Sequence, residues 1–159
     1  MTDTVRDLLL DTHVVIWMAI SPRQIPARLL HAIEQAERRL VSHVTALEIQ
    51  LKNLKNPAAF PFSLRHLEAS MKEFSCTELP LSYSDIAALS QMEFLHSDPF
   101  DRLLMAQSRA RNFCLATTDK AIHRTFERHQ GFPLFPQCPS GEMWTSTSSA
   151  AFAVQNPEC

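Results

Sequence analysis

Three consecutive leucines, Leu8-Leu9-Leu10, run straight into a charge, Asp11. An unbroken apolar run has no wet face, so it reads as a strand buried on both sides. Val14-Val15-Ile16-Trp17 follows too soon after Asp11-Thr12-His13 for a solvated loop, and the segment becomes a turn into a helix. The alternation then repeats. Pro26 opens a helix with Leu29, Ile33 and Ala36 on one side. Leu40-Val41 is a short strand, and 44–54 repeats apolar residues at helical spacing (Val44, Leu47, Leu51, Leu54) until Asn56-Pro57 breaks it. Ser63 is the N-cap of a helix aligning Leu64, Leu67, Met71 and Phe74. Residues 76–81 resemble a strand, and Ser84-Asp85 starts a helix carrying Ile86, Leu89 and Met92. Asp98-Pro99 opens the helix over 102–110, 113–117 is the third good strand, and 120–128 the last helix. Leu134-Phe135, between prolines, adds a short edge strand. Strands alternating with helices predict an α/β fold, a parallel sheet covered on both faces.

Several functions are excluded early. Gly131 and Gly141 are the only glycines, so neither G-x-G-x-x-G nor a P-loop can cradle a phosphate. A phosphate-containing substrate has to be held through metal and side chains instead. The formal net charge of −2 gives no global basic field for nucleic acid. Arg102, Arg109, Arg111, Lys120, Arg124 and Arg128 do crowd the late segments, most of them reading as solvated faces of two helices. Cys76, Cys114, Cys138 and Cys159 form no C-x-x-C pair and no zinc spacing, and do not read as a disulfide framework; Cys76 and Cys114 read as buried, inert thiols. No secretory leader and no membrane-length apolar run is present, which predicts a cytoplasmic protein. At 159 residues the simplest organisation is one domain over 1–136, with 137–159, small and polar, as a flexible or loosely docked tail.

Four acids fall at or near element ends: Asp11, Glu48, Asp101 and Asp119. In a parallel sheet such ends converge on one crevice outside the carboxyl edges of the strands. Carboxylates gathered there repel one another unless a hard cation neutralises them, and oxygen-only ligation suits Mg²⁺ or Mn²⁺. Each acid also has a structural reading. Asp98-Pro99-Phe100-Asp101 is a well-formed helix start, Asp98 as N-cap and Asp101 at N3. Asp119 could N-cap the helix at Lys120. Thr45 and Glu48 have capping-box spacing, although Val44 already belongs to the helix. Glu48 then lies at the margin of an apolar face and needs a partner, which a metal or Lys52, four residues on, would each supply. Asp11 is the hardest to explain structurally, because a charge beside the core normally means pairing or ligation.

The chain resembles the PIN-domain proteins, and among them the VapC-like ribonuclease toxins of type II toxin–antitoxin pairs. The resemblance rests on segment 8–17 (Leu8-Leu9-Leu10-Asp11-Thr12-His13 and the run after it), on 41–52 around Glu48, and on 78–81. Its most specific blocks are 96–107, containing Asp98-Pro99-Phe100-Asp101-Arg102-Leu103-Leu104, and Leu115-Ala116-Thr117-Thr118-Asp119. Together they span roughly 7–130 in family order. The resemblance implies a PIN-like three-layer α/β/α sandwich with a central parallel sheet. It implies that Asp11, Glu48, Asp101 and Asp119 hold one or two Mg²⁺ or Mn²⁺ ions. Thr12, Ser42 and Thr117 would orient those carboxylates or a metal-bound water, with Asp98 at the rim. Where many relatives carry a glycine after the late helix, Arg111-Asn112 stands here, and asparagine tolerates the left-handed C-cap such a turn needs.

The implied reaction is metal-assisted hydrolysis of RNA phosphodiesters. Single-stranded or looped RNA is the expected substrate, because A-form grooves hide base edges. Arg102 and Lys120 are placed to steer its backbone. The implied partner is a small antitoxin that fills the crevice, with an arginine set against the acids; homodimerisation is common in the resembled family, and no membrane is involved. Two alternatives belong to other classes. One is a binding module that keeps the fold without catalysis, which the intact acidic quartet argues against. The other is a phosphatase with Asp11 as nucleophile, in which a second acid usually stands two residues on, where this chain has His13.

Overall fold

The computed structural model of the chain describes residues 7–91 and 98–128, and side-chain detail extends to residue 124. The expected edge strand at Leu134-Phe135, the tail and Met92 lie outside the described residues. The first strand, β1 (Asp7–Leu10), is buried along its whole length. It leads through Asp11 into α1 (Thr12–Ile20), a 3₁₀ turn at Pro22–Gln24 and α2 (Ala27–Gln35). The chain continues through β2 (Arg38–Ser42), α3 (His43–Lys55), α4 (Leu64–Glu73) and β3 (Cys76–Leu79). Helix α5 (Tyr83–Ala87) with a following 3₁₀ turn, then α6 (Pro99–Arg111), β4 (Cys114–Ala116) and α7 (Lys120–Arg128), complete the described elements.

The four strands form one sheet in the order β3-β2-β1-β4, every pairing parallel. Leu9 is in register with Leu40 on one side and Leu115 on the other, so β1 is central and hydrogen-bonded along both edges. Alternate side chains then serve opposite faces. Leu8 and Leu10 pack with Val14, Leu29, Ile33, Ile49 and Leu67, on the layer of α1, α2 and α4. Leu9 packs with Leu40, Leu104, Met105, Leu115 and Ile122, on the layer of α6 and α7. Two apolar cores on the two faces of one parallel sheet are the three-layer α/β/α arrangement that the leucine run demanded. No helix among the described residues is long and apolar enough to cross a membrane.

Local signals explain the helix ends. Ser63 and His66 form a reciprocal capping box, and Asn112 closes α6 in the left-handed conformation at φ 54°. Three expectations are corrected. Helix α3 does not bury its leucine stripe: Leu47, Leu51 and Leu54 are 51%, 48% and 66% exposed, whereas Val44, Thr45, Glu48 and Ile49 face inward. Helix α5 starts from Ser82 rather than Ser84, because the Ser82 hydroxyl accepts from the Asp85 N–H while the Asp85 carboxylate accepts from the Ser82 N–H. Its Ile86 is exposed and its buried residue is Asp85. Cys114 takes part in a disulfide, so among the described residues the free thiol is Cys76, which is half-buried rather than buried and is pushed up by its desolvation despite nearby Arg39.

Candidate active site

The strand order reverses direction between β1 and β4: from β1 the chain builds outward to β2 and β3, then returns to lay β4 on the other side. Such a switch point leaves a crevice at the carboxyl edge. Asp11 sits in it, 1% exposed, its N–H bonded to the Ala116 carbonyl at 2.9 Å. Its Oδ2 accepts from the Thr117 hydroxyl at 2.9 Å, across 106 residues of sequence. Its Oδ1 is buried with no hydrogen-bond partner. Burial pushes the Asp11 carboxyl up to about 6, with Glu48 adding to the rise while His13 and the Thr117 hydroxyl oppose it.

Glu48 reaches the crevice from α3, 3% exposed. The Thr12 hydroxyl donates to its Oε2 at 2.6 Å, with Thr45 Oγ1 3.2 Å from the same hydroxyl. Its Oε1 accepts from Lys52 Nζ at 2.5 Å. The choice the sequence left open between metal and lysine therefore has its lysine half in place.

Helix N-termini supply the other two acids. Asp98 caps α6, its Oδ1 accepting from the Phe100 and Asp101 N–H groups at 2.8 and 3.4 Å. That cap sets the first turn, from which Asp101 projects. The Asp101 carboxyl is pushed up to about 8, first by desolvation and then by the charges of Asp11, Asp98, Asp119 and Glu48. Asp119 caps α7 through Oδ1, which accepts from Ala121 and Ile122, and its own N–H donates to Thr117 Oγ1. Both helix-start readings thus coexist with convergence on the crevice. Favourable interaction of an acid with a helix N-terminus keeps both turns in place.

The structure brings Asp11, Thr12, Glu48, Asp101, Thr117 and Asp119 together. Ser42 sits at the same edge, but its hydroxyl accepts from the Val44 N–H at 3.0 Å and caps α3. Arg102 follows Asp101 on α6, partly buried, and Lys120 is exposed at the start of α7. Arg111 leaves the group of basic residues near the site: its guanidinium forms a fork with the buried Asp85 carboxylate, at 2.9 and 2.7 Å. One contributor was not singled out from sequence. His123, buried on α7, places Nε2 3.1 Å from the Thr117 carbonyl, and so donates to the residue that holds Asp11. Its only sequence signal is a spacing of four residues from Asp119.

The donor set fits a hard divalent cation, being carboxylate oxygen throughout, with one buried oxygen of Asp11 left unsatisfied. Among the described residues no group of three His, Cys, Asp or Glu side chains is placed to hold one ion together. Glu48 is turned to Thr12 and Lys52, and one oxygen of Asp119 to the α7 amides.

Comparison with known proteins agrees with this architecture. A model of the PIN domain matches residues 8–127. A solved structure of VapBC2 from Rickettsia felis, bound to a DNA fragment from its promoter, superposes with a TM-score of 0.55 at 15% identity, covering 80% of this chain and 96% of that one. DNA-bound VapBC from Salmonella typhimurium gives 0.55 at 19% identity, covering 81% and 96%. No curated protein sequence matches the chain. These structural likenesses concern the fold, and the family match extends over most of the sequence: the chain belongs to the PIN-domain family.

Proposed function

We propose that this chain is a divalent-metal-dependent endoribonuclease and the VapC-like toxin of a toxin–antitoxin pair. The observation that carries the reading is the continuity of the acidic crevice. Thr12, next to Asp11, bonds Glu48; Thr117 bonds Asp11 and accepts from the N–H of Asp119; and Asp101 lies within the electrostatic reach of all three other acids. A structural role alone would not concentrate so much like charge on one edge of a sheet. Membership of the PIN family and the fold shared with the VapBC structures support the same reading.

Asp11, Glu48, Asp101 and Asp119 would hold the ion. When bound, Mg²⁺ or Mn²⁺ stabilises charge on the phosphoryl group and lowers the pKa of the attacking water. The other residues act on orientation. Thr117 fixes one oxygen of Asp11 and leaves the second, buried, without a hydrogen-bond partner. Thr12 likewise fixes one oxygen of Glu48, and the Asp98 cap holds the turn that carries Asp101. Arg102 and Lys120 flank the acids and attract the RNA backbone, the substrate being single-stranded or looped. The nuclease unit spans 1–136, with 137–159 as its tail, and works in the cytoplasm. Its antitoxin presents a basic side chain to the acids and so blocks them.

The test is cleavage of a mixed single-stranded RNA pool by protein freed of co-purifying partner, with Mn²⁺ or Mg²⁺ and with EDTA. Cutting should require metal and vanish in Asp101→Asn while that variant stays folded. Equal cutting by parent and variant, or unfolding of the variant where the parent is folded, would count against the reading.

A further inference from the structure

Lys52 has no place in the reaction just described, yet it makes one of the shortest polar contacts in the crevice. Its Nζ lies 2.5 Å from Glu48 Oε1, and its head is 6.0 Å from the centroid of the Phe60 ring. The pair is lopsided. The Glu48 side chain is 3% exposed and that of Lys52 is 42% exposed. One end is fixed by burial and by the Thr12 hydroxyl, while the other stands at the water boundary on a flexible stem.

Both oxygens of Glu48 are engaged, Oε2 by Thr12 and Oε1 by Lys52. An ion approaching Oε1 meets an ammonium of like charge already there. Asp11, on the other side of Thr12, keeps a buried oxygen with no partner. Glu48 is thus neutralised from within the chain, and Asp11 is not. Resting on the metal reading above, we infer that Lys52 is a placeholder cation: it neutralises Glu48 while the crevice holds no metal, and a divalent ion binds in competition with it. Glu48 is held toward α3's own lysine until an ion draws it in, and the lysine head then moves a short distance into solvent. The cost of that move is small, since a half-exposed ammonium regains its hydration. Lys52 is a positioning residue, acting through Glu48.

The experiment is calorimetric titration of Mn²⁺ into the full-length chain without antitoxin or RNA, at fixed pH and low ionic strength. Parent, Lys52→Met and Lys52→Arg are compared, each also melted in EDTA. Lys52→Met keeps the aliphatic stem beside Phe60 and removes the charge. It should bind Mn²⁺ about fivefold tighter than the parent, the scale of one partly exposed ion pair. It should also melt lower in EDTA and regain the difference when Mn²⁺ is added. Lys52→Arg should follow the parent in both. Unchanged or weaker Mn²⁺ binding by Lys52→Met, with the parent binding normally, would overturn the inference and leave the nuclease reading standing. Absence of Mn²⁺ binding by parent and both variants would overturn the metal reading and this inference together. If Lys52→Met melts below the working temperature even with Mn²⁺, a Lys52→Arg affinity departing from the parent decides against it.

Discussion

Asp101 keeps its proton because its neighbours give it little choice. Partly desolvated and facing Asp11, Asp98, Asp119 and Glu48, its carboxyl is pushed from 3.8 to about 8. Asp11 is pushed from the same starting value to about 6 by burial, with Glu48 adding to it. A raised acid binds more protons folded than unfolded, so its contribution is most favourable below the unfolded value and declines as pH rises through the folded one. Without metal, the protein should therefore lose stability steadily between about pH 4 and pH 8. Asp101→Asn removes the ionisation that drives the upper part of that decline. Melting curves in EDTA should show variant and parent close at pH 4 and the variant more stable at pH 8. A variant that is less stable at pH 8 would mean that the Asp101 charge is compensated in the folded state.

At the scale of single elements, α3 is the instructive case. It buries Val44, Thr45, Glu48 and Ile49 and turns Leu47, Leu51 and Leu54 outward. Leu51→Gln should change stability by no more than about 0.5 kcal/mol, as for an exposed position. Ile49→Ala should cost about 2–5 kcal/mol, since it opens a cavity against the sheet. Urea unfolding of the two variants separates the faces, and similar losses from both would contradict the orientation. The same helix marks where sequence reasoning stops. The apolar run Leu8–Leu10, the Asp98-Pro99 start and the left-handed Asn112 are local signals, legible because the physics acts within a few residues. Which side of α3 faces inward is decided by long-range contacts, Val44 and Ile49 in the two cores and Glu48 against the Thr12 hydroxyl, and three leucines outvote that signal in any count of apolar spacing. The Asp11–Thr117 bond is equally non-local, although both residues were legible as strand ends. The Glu48–Lys52 spacing was visible, but two partners fitted it equally well.

The whole molecule is held by a second polar cluster away from the acids. Asp85 is fully buried beneath the Arg111 guanidinium, which also donates to the Pro80 carbonyl at 3.1 Å, while Gln107 donates to the same carbonyl and to Asp85. This ties the chain just after β3 to α5 and α6. Burial alone would raise the Asp85 carboxyl, but the Arg111 and Ser82 bonds outweigh it and hold it at about 2. Arg111→Ala leaves that charge buried and uncompensated. It should cost about 3 kcal/mol at pH 7, the lower end for a broken buried pair because the Arg111 side chain reaches solvent. The loss should shrink as pH falls from about 4 toward 2, where Asp85 takes up its proton. A pH-independent loss in chemical denaturation would point to packing alone.

The pairing of β1 with β4 has a consequence in time as well as in space. Asp11 is made well before the hydroxyl that orients it, which belongs to Thr117, 106 residues later. Asp101 and Asp119 also come late, and β4 is the strand that closes the crevice against β1. Long-range parallel pairing is slow to form, because a large loop must close before any contact rewards it. A nascent chain, or one cut short before Cys114, therefore carries Asp11 and Glu48 without the edge that completes their site. On the proposed nuclease reading, synthesis itself delays the hazard until β4 has been made.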